Sequence, residues 1–239
     1  MAGTLRAGLS LGTCGFSFWS HDIGGFFGVP SPELYRRWLA FGVFTSHSRC
    51  HGSLPREPWE FGEAFEAGFR RAVEMRYRLL PYIYAQAKDC TERGLPLLRA
   101  PYIEFPDDPG SWRVDDQYML GSSLLVAPML EAGQAARGVY LPPGQWTDYQ
   151  SGHRYDGGSW QRLEPGTVPI VVLVRAGSLL PRVALAQSTA FIDWQHIELL
   201  AYPYRSSPCF QAISQIGPIS AIPSVLWPWS RPDSCHCPR

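Results

Sequence analysis

Two short clusters hold the side chains best suited to chemistry: Trp19-Ser20-His21-Asp22-Ile23-Gly24-Gly25-Phe26 and Ser46-His47-Ser48-Arg49-Cys50-His51-Gly52. Asp22 offers a carboxylate that accepts hydrogen bonds from sugar hydroxyls, and Phe26 beside it offers a pocket wall. His51 can donate to or accept from a hydroxyl, and Arg49 can grip a carboxylate through two parallel N–H bonds. Two other readings stay open on the residues alone. Asp22 could instead be a loop carboxylate that caps backbone amides. His21, His47, His51 and Asp22 could also form a zinc site, although no two of these histidines stand at i, i+4 on an evident helix. No metal and no cofactor is expected. Cys14, Cys50 and Cys90 lie far apart, and Cys235-His236-Cys237 crowds three ligand types at the end of the chain. The cysteines read as free thiols of a reducing compartment.

The elements that must position these clusters follow from local pattern. Thr4 to Leu11 reads as the end of a helix. Gly15 to Trp19 (GFSFW) reads as a short aromatic strand closed by the Gly24-Gly25 turn. Polar groups at the C-terminal end of a strand, followed by glycines, are where barrel enzymes carry their active sites. Ser31-Pro32-Glu33-Leu34 is a helix start, with a capping hydroxyl, proline at the first helical position and an acid at the positive end of the dipole. Leu34, Trp38, Phe41 and Phe44 then mark an apolar face. Thr45 to Cys50 is a second short strand or strand-end loop, and Gly52 to Trp59 is loop. From about Phe61 to Thr91 the recurrence of Phe65, Phe69, Val73, Tyr77 and Leu80 predicts a long helix, kinked or divided at Pro81 and stopped by Gly94 and Pro96. This alternation is the grammar of a (β/α) barrel.

After Asp115 the texture changes. Short β-like runs at Leu124–Ala127, Gly138–Leu141, Gln145–Tyr149 and Ile170–Val174 are separated by Gly and Pro, the punctuation of an antiparallel β-sandwich. A boundary falls within Asp107-Asp108-Pro109-Gly110. The expected organisation is residues 1–113 as the C-terminal part of a (β/α)8 TIM barrel, 114–203 as an antiparallel β-sandwich, and 204–239 as an irregular or aberrant tail. That tail is rich in Pro and Ser and sets Phe210, Ile213, Ile216, Ile219, Ile222 and Val225 three residues apart.

Composition narrows the function classes. The 239 residues carry 21 basic and 21 acidic side chains, with 45% hydrophobic residues and 18% charged. Such a chain is globular rather than disordered. Its balanced charge supplies no electrostatic reason to bind nucleic acid or an anionic membrane. No apolar run approaches the roughly 18 residues of a membrane helix. The opening MAGTLRAGLSLGTCGF makes a poor secretory leader, so a cytoplasmic location is expected.

The two clusters together resemble glycoside hydrolase family 31, the retaining α-glucosidases and α-xylosidases. WSHDIGGF followed by SHSRCHGS is most similar to the α-xylosidase-like branch. The resemblance continues through Arg76-Tyr77-Arg78-Leu79-Leu80-Pro81-Tyr82-Ile83-Tyr84, Glu104-Phe105-Pro106-Asp107-Asp108, Gln117-Tyr118-Met119-Leu120-Gly121 and Leu125-Val126-Ala127-Pro128. Further on it takes in Leu141-Pro142-Pro143-Gly144-Gln145-Trp146 and Val174-Arg175-Ala176-Gly177-Ser178, and it fades near residue 202. It implies that Asp22, Phe26 and His51 line the subsite for the non-reducing-end sugar of an α-xyloside or α-glucoside, with Arg49 as a supporting residue. A retaining mechanism uses two carboxyl groups about 5–5.5 Å apart. The resemblance places both of those acids in motifs upstream of Met1, so Asp22 is neither of them. The chain is therefore expected to be a C-terminal part of such an enzyme and inactive alone. A full barrel takes about 250 residues and eight strands, so the strands and aromatic helix faces here are expected to lack partners. A homo-oligomeric parent is compatible with the sequence. The competing readings are a non-catalytic carbohydrate-binding protein of the same descent and a metal-dependent hydrolase built on the histidines.

Overall fold

The computed structural model describes residues 1–205. The first helix, α1 (Ala2–Thr13), buries Leu5, Gly8, Leu9 and Gly12, one stripe at helical spacing. Helix α2 (Pro32–Gly42) starts as expected: the Ser31 hydroxyl accepts from the Leu34 amide at 3.2 Å, and Pro32 occupies the first turn. Its buried face is rotated from the expected one. Tyr35, Leu39, Ala40 and Phe41 are buried, while Leu34 and Trp38 sit on the flank. The reason is polar: the flank position leaves the Trp38 indole N–H facing an acceptor at 2.9 Å, which a fully apolar contact would deny it.

The long helix predicted after Phe61 is divided near Pro81, as expected. Pro58–Phe61 form a 3-10 turn, Gly62 breaks it with φ +88°, and α3 (Glu63–Arg78) and α4 (Leu80–Arg93) meet at Leu79. Pro81 lies in the first turn of α4, where a missing N–H costs nothing. Gly94 ends α4 in the left-handed conformation.

The remaining strands are β1 (Leu98–Arg99), β2 (Tyr118–Leu120), β3 (Leu124–Pro128), β4 (Arg137–Leu141), β5 (Gln145–Asp148), β6 (Arg154–Asp156), β7 (Ser159–Leu163), β8 (Ile170–Arg175), β9 (Ser178–Arg182) and β10 (Glu198–Tyr202). Six of them form one antiparallel sheet in the order β1-β2-β3-β8-β5-β6; β4 pairs with β7, and β9 with β10. The large sheet is a middle layer. Its side chains alternate between two cores. Tyr118, Leu120, Leu124, Val126, Ile170, Val172 and Val174 face the helices and share a core with Leu5, Phe41 and Tyr82. Met119, Leu125, Ala127, Val171 and Leu173 face the other way and pack with Val139 and Leu141 of β4 and Leu163 of β7. A strand covered on both faces must be apolar at every position, which is why β3 and β8 read as unbroken LLVA and IVVLV runs.

The short strand expected at Gly15–Trp19 is not formed, and Thr45–Cys50 takes the loop alternative. Among the described residues they reduce to one parallel bridge, Asp22 to Arg49. Backbone acceptors of the first segment are taken by other donors: Ser17 O accepts from the Leu97 amide at 2.9 Å, and Trp19 O accepts from the Ser46 hydroxyl at 2.6 Å. These bonds satisfy the backbone without a ladder. No helix among the described residues is long and apolar enough to cross a membrane. Most of the expected tail, with its spaced apolar residues and Cys235-His236-Cys237, lies outside the described residues.

Candidate functional site

The site is built on two adjoining loops, residues 19–28 and 42–53. The first is seated by Trp19. Its indole lies over Gly8 of α1 so closely that a Cβ there would stand 2.2 Å from the ring, and it meets Phe41 edge-on at 6.4 Å. His21 follows, stacked on Phe41 at 4.3 Å between centroids, and its Nδ1 accepts the Trp38 indole N–H at 2.9 Å. Burial pulls its imidazole down to about 4 from the ordinary value, so it is neutral at pH 7. The chain then turns: the Gly25 amide donates to Asp22 O at 2.9 Å, and Gly24 and Gly25 hold φ of +90° and +83°, a conformation that other residues resist.

The second loop is held from behind. Tyr118 of β2 donates its hydroxyl to Phe44 O at 2.9 Å. Arg76 of α3 reaches across to the carbonyls of Val43 (2.8 Å), Thr45 (2.7 Å) and Ser46 (3.0 Å). Burial lowers the Arg76 guanidinium to about 10, so it remains charged at neutral pH. The Thr45 and Ser48 hydroxyls both donate to Gly42 O, which curls the chain after α2.

The loops lie side by side. The Ile23 amide donates to Arg49 O at 3.2 Å, and the Ser53 amide donates to Phe26 O at 2.7 Å. This arrangement gathers the four residues singled out by the sequence into two pairs. Arg49 contacts Asp22 Oδ1 through Nε at 2.8 Å and Nη2 at 2.7 Å. Phe26 and His51 face each other at 5.6 Å between ring centroids, inclined by 51°. Phe26 and Phe27 are both exposed, with His51. The result is a solvent-facing surface with one oriented carboxylate, one imidazole and a wall of aromatic carbon. Such a surface suits a small polyhydroxylated ligand.

The histidines do not converge on a metal. His21 is engaged with Trp38, and His47 Nδ1 lies 3.0 Å from the Ser46 hydroxyl. Among the described residues no group of three or more His, Cys, Asp or Glu is placed to hold an ion. Sequence reasoning missed Arg76, which stands inside the RYRLLPY run. Its signal is an arginine in a helix face that otherwise carries Phe65, Phe69 and Ala72 toward the core, and only the fold shows which carbonyls it meets.

Residues 1–86 match the glycosyl hydrolases family 31 TIM-barrel domain, and residues 94–180 match the glycosyl hydrolase family 31 C-terminal domain. The chain belongs to glycoside hydrolase family 31. This family 31 chain is 42% identical over 190 residues to an α-xylosidase of Emericella nidulans, covering 76% of the chain and 24% of the relative. It is 41% identical over 178 residues to a probable glucan 1,3-α-glucosidase of Oryza sativa subsp. japonica, covering 73% of the chain and 19% of the relative. In structure it resembles a Flavobacterium johnsoniae family 31 dextranase complexed with isomaltotriose, with a TM-score of 0.79 and 35% identity over 85% of the chain and 26% of the dextranase. The family 31 chain thus spans less than a third of the length of the curated relatives it matches here.

Proposed function

We propose that this chain supplies the sugar-holding side of a retaining α-glycosidase acting on α-xylosides or α-glucosides. In this reading Asp22 receives the hydroxyls of the non-reducing-end sugar, His51 exchanges a hydrogen bond with another, and Phe26 covers an apolar face of the ring. Arg49 orients Asp22. Residues 1–113 form the C-terminal part of the catalytic barrel and 114–203 the β-domain that follows it; most of 204–239 lies outside the described residues.

The observation that carries the reading is the double pairing across the two loops, Asp22 with Arg49 and Phe26 with His51. Both Arg49 contacts fall on Oδ1. Oδ2 is left as an acceptor aimed by a fixed partner, and an ionised acceptor binds hydroxyl donors more strongly than a neutral one. The same engagement by arginine suits Asp22 to holding a hydroxyl. Glycoside cleavage with retention needs a second kind of carboxyl pair, about 5–5.5 Å apart. In this reading Asp22 is not one of that pair, and the chain alone binds sugar without cleaving the glycosidic bond. The relatives' names, α-xylosidase and glucan 1,3-α-glucosidase, support the substrate class.

The test is a titration of the full chain with methyl α-xyloside and methyl α-glucoside, followed by NMR of the His51 imidazole, beside an assay with aryl α-glycosides. The expected outcome is saturable, millimolar perturbation of His51 that Asp22→Ala abolishes, with no turnover. A His51 signal indifferent to both sugars would overturn the subsite. Turnover that survives purification and is lost in Asp22→Ala would show that Asp22 is one of the reacting acids.

A further inference from the structure

Arg56 is 4% exposed and has no role in the reading above. Its guanidinium donates from Nη1 to Leu54 O and Pro55 O, both at 3.0 Å, and from Nη2 to Gly25 O at 2.8 Å and Gly28 O at 2.6 Å. All four acceptors are main-chain carbonyls, two in the loop that carries Phe26 and two in the segment that follows His51. The residue itself is fixed at both backbone atoms. Its amide donates to the Glu57 carboxylate at 2.9 Å, and its carbonyl accepts the buried Tyr35 hydroxyl of α2 at 2.7 Å. Gly52 lies against the same guanidinium, where a Cβ would come within 2.6 Å of Nη2. One buried fork thus ties the first loop to residues 54–56 just beyond the second, and the Tyr35 hydroxyl ties that segment to α2.

We propose that Arg56 is a positioning residue that sets the separation of the Phe26 and His51 loops, and with it the width of the sugar subsite. The proposal deepens the functional reading above and rests on it for the nature of the ligand. The chemistry favours arginine for geometric reasons. A planar fork presents its donors in fixed directions and can bridge carbonyls on two segments at once, whereas a lysine ammonium is a point with three donors on a flexible stem. Removing the fork leaves Gly25 O and Gly28 O without their donor in a loop whose glycines tolerate many conformations. The Phe26 ring then loses its fixed distance to His51.

The experiment compares the full chain with Arg56→Lys, Arg56→Met and Arg56→Ala by NMR and by hydrogen exchange. The ring-current shift of Phe26 on the His51 imidazole, calibrated with Phe26→Leu, reports the gap between the loops. In Arg56→Met this shift collapses. Exchange at the Gly25 and Ser53 amides rises by roughly 10–100-fold, the loss of charge-assisted hydrogen bonding, while β3 and β8 amides keep their protection. Arg56→Lys retains part of the shift, and millimolar guanidinium restores it in Arg56→Ala. An unchanged His51 shift in Arg56→Met overturns the proposal. So does an equal loss of protection in β3 and β8 without rescue, because Arg56 would then only hold the fold together. The sugar titration separates the two readings. Loop changes in Arg56→Met, with no sugar response in the unaltered chain, remove the subsite reading. A sugar response with an unchanged loop removes the clamp alone.

Discussion

Arg49 places two nitrogens on a single oxygen of Asp22, at 2.8 and 2.7 Å, at a backbone bridge between the two loops of the site. The Arg49 side chain is 61% exposed and that of Asp22 19%. A pair this open to water contributes little to folding, about 0–1 kcal/mol. Its effect falls on orientation. Arg49→Met is expected to leave the urea midpoint of unfolding nearly unchanged and to weaken xyloside binding by about 10-fold. A large fall in stability with intact binding would reverse the assignment.

Arg76 predicts the opposite balance. It is half-buried and spends its guanidinium on three carbonyls at the start of the second loop. Arg76→Met strands those oxygens and is expected to destabilise the chain by about 3 kcal/mol in urea unfolding. Arg76→Lys recovers part of this, since an ammonium reaches fewer of the three acceptors. A loss under about 1 kcal/mol would mean that the loop is held by Tyr118 and the Thr45 and Ser48 hydroxyls without it.

His21 makes stability depend on pH. Burial first, then the N-terminal amino group, drives its imidazole down to about 4 in the folded chain, against a smaller opposing pull from Asp22. The unfolded chain takes up this proton near pH 6.5. The unfolded state therefore binds more protons between about pH 6.5 and 4, and stability rises with pH over that window. The contribution is fully present above about pH 6.5, falls by about 3 kcal/mol as the pH drops to about 4, and is constant below. Unfolding free energies at pH 7 and pH 4 should differ more in the unaltered chain than in His21→Phe by this amount. Equal pH dependence in both would show that the ring takes up its proton in the fold at the same pH as in the unfolded chain.

Gly8 tests how α1 seats the site loop. Alanine is the better helix former by about 1 kcal/mol. Yet a Cβ at Gly8 would lie 2.2 Å from the Trp19 ring, which is itself packed on Phe41. Gly8→Ala is therefore expected to destabilise by about 1–3 kcal/mol, the cost of overpacking a filled core. Gly3→Ala in the same helix has open space around the new methyl and is expected to stabilise slightly. Thermal melting of the two variants, shifting in opposite directions, checks the contact. A stabilised Gly8→Ala would show that the Trp19 ring moves aside freely.

What could be read from the sequence was local. The Ser31 cap, the division of the long helix near Pro81 and the Gly94 stop depend on residues within one or two turns of each other, so residue type and spacing suffice to specify them. The apolar runs of β3 and β8 likewise announce strands covered on both faces. The two site motifs were legible as clusters of reactive side chains. Their geometry was not. Whether Asp22 meets Arg49 and Phe26 meets His51 depends on how two loops lie across each other, and the segment leading into the first gave up its expected strand, with Ser17 O bonded to the Leu97 amide and Trp19 O to the Ser46 hydroxyl. The sheet order, with β8 inserted between β3 and β5, and the carbonyls chosen by Arg56 and Arg76 were decided by tertiary structure alone. A buried arginine spends its donors on whatever main chain the packing brings within reach, and residues 28 to 33 positions apart along the chain carry no mark of that encounter.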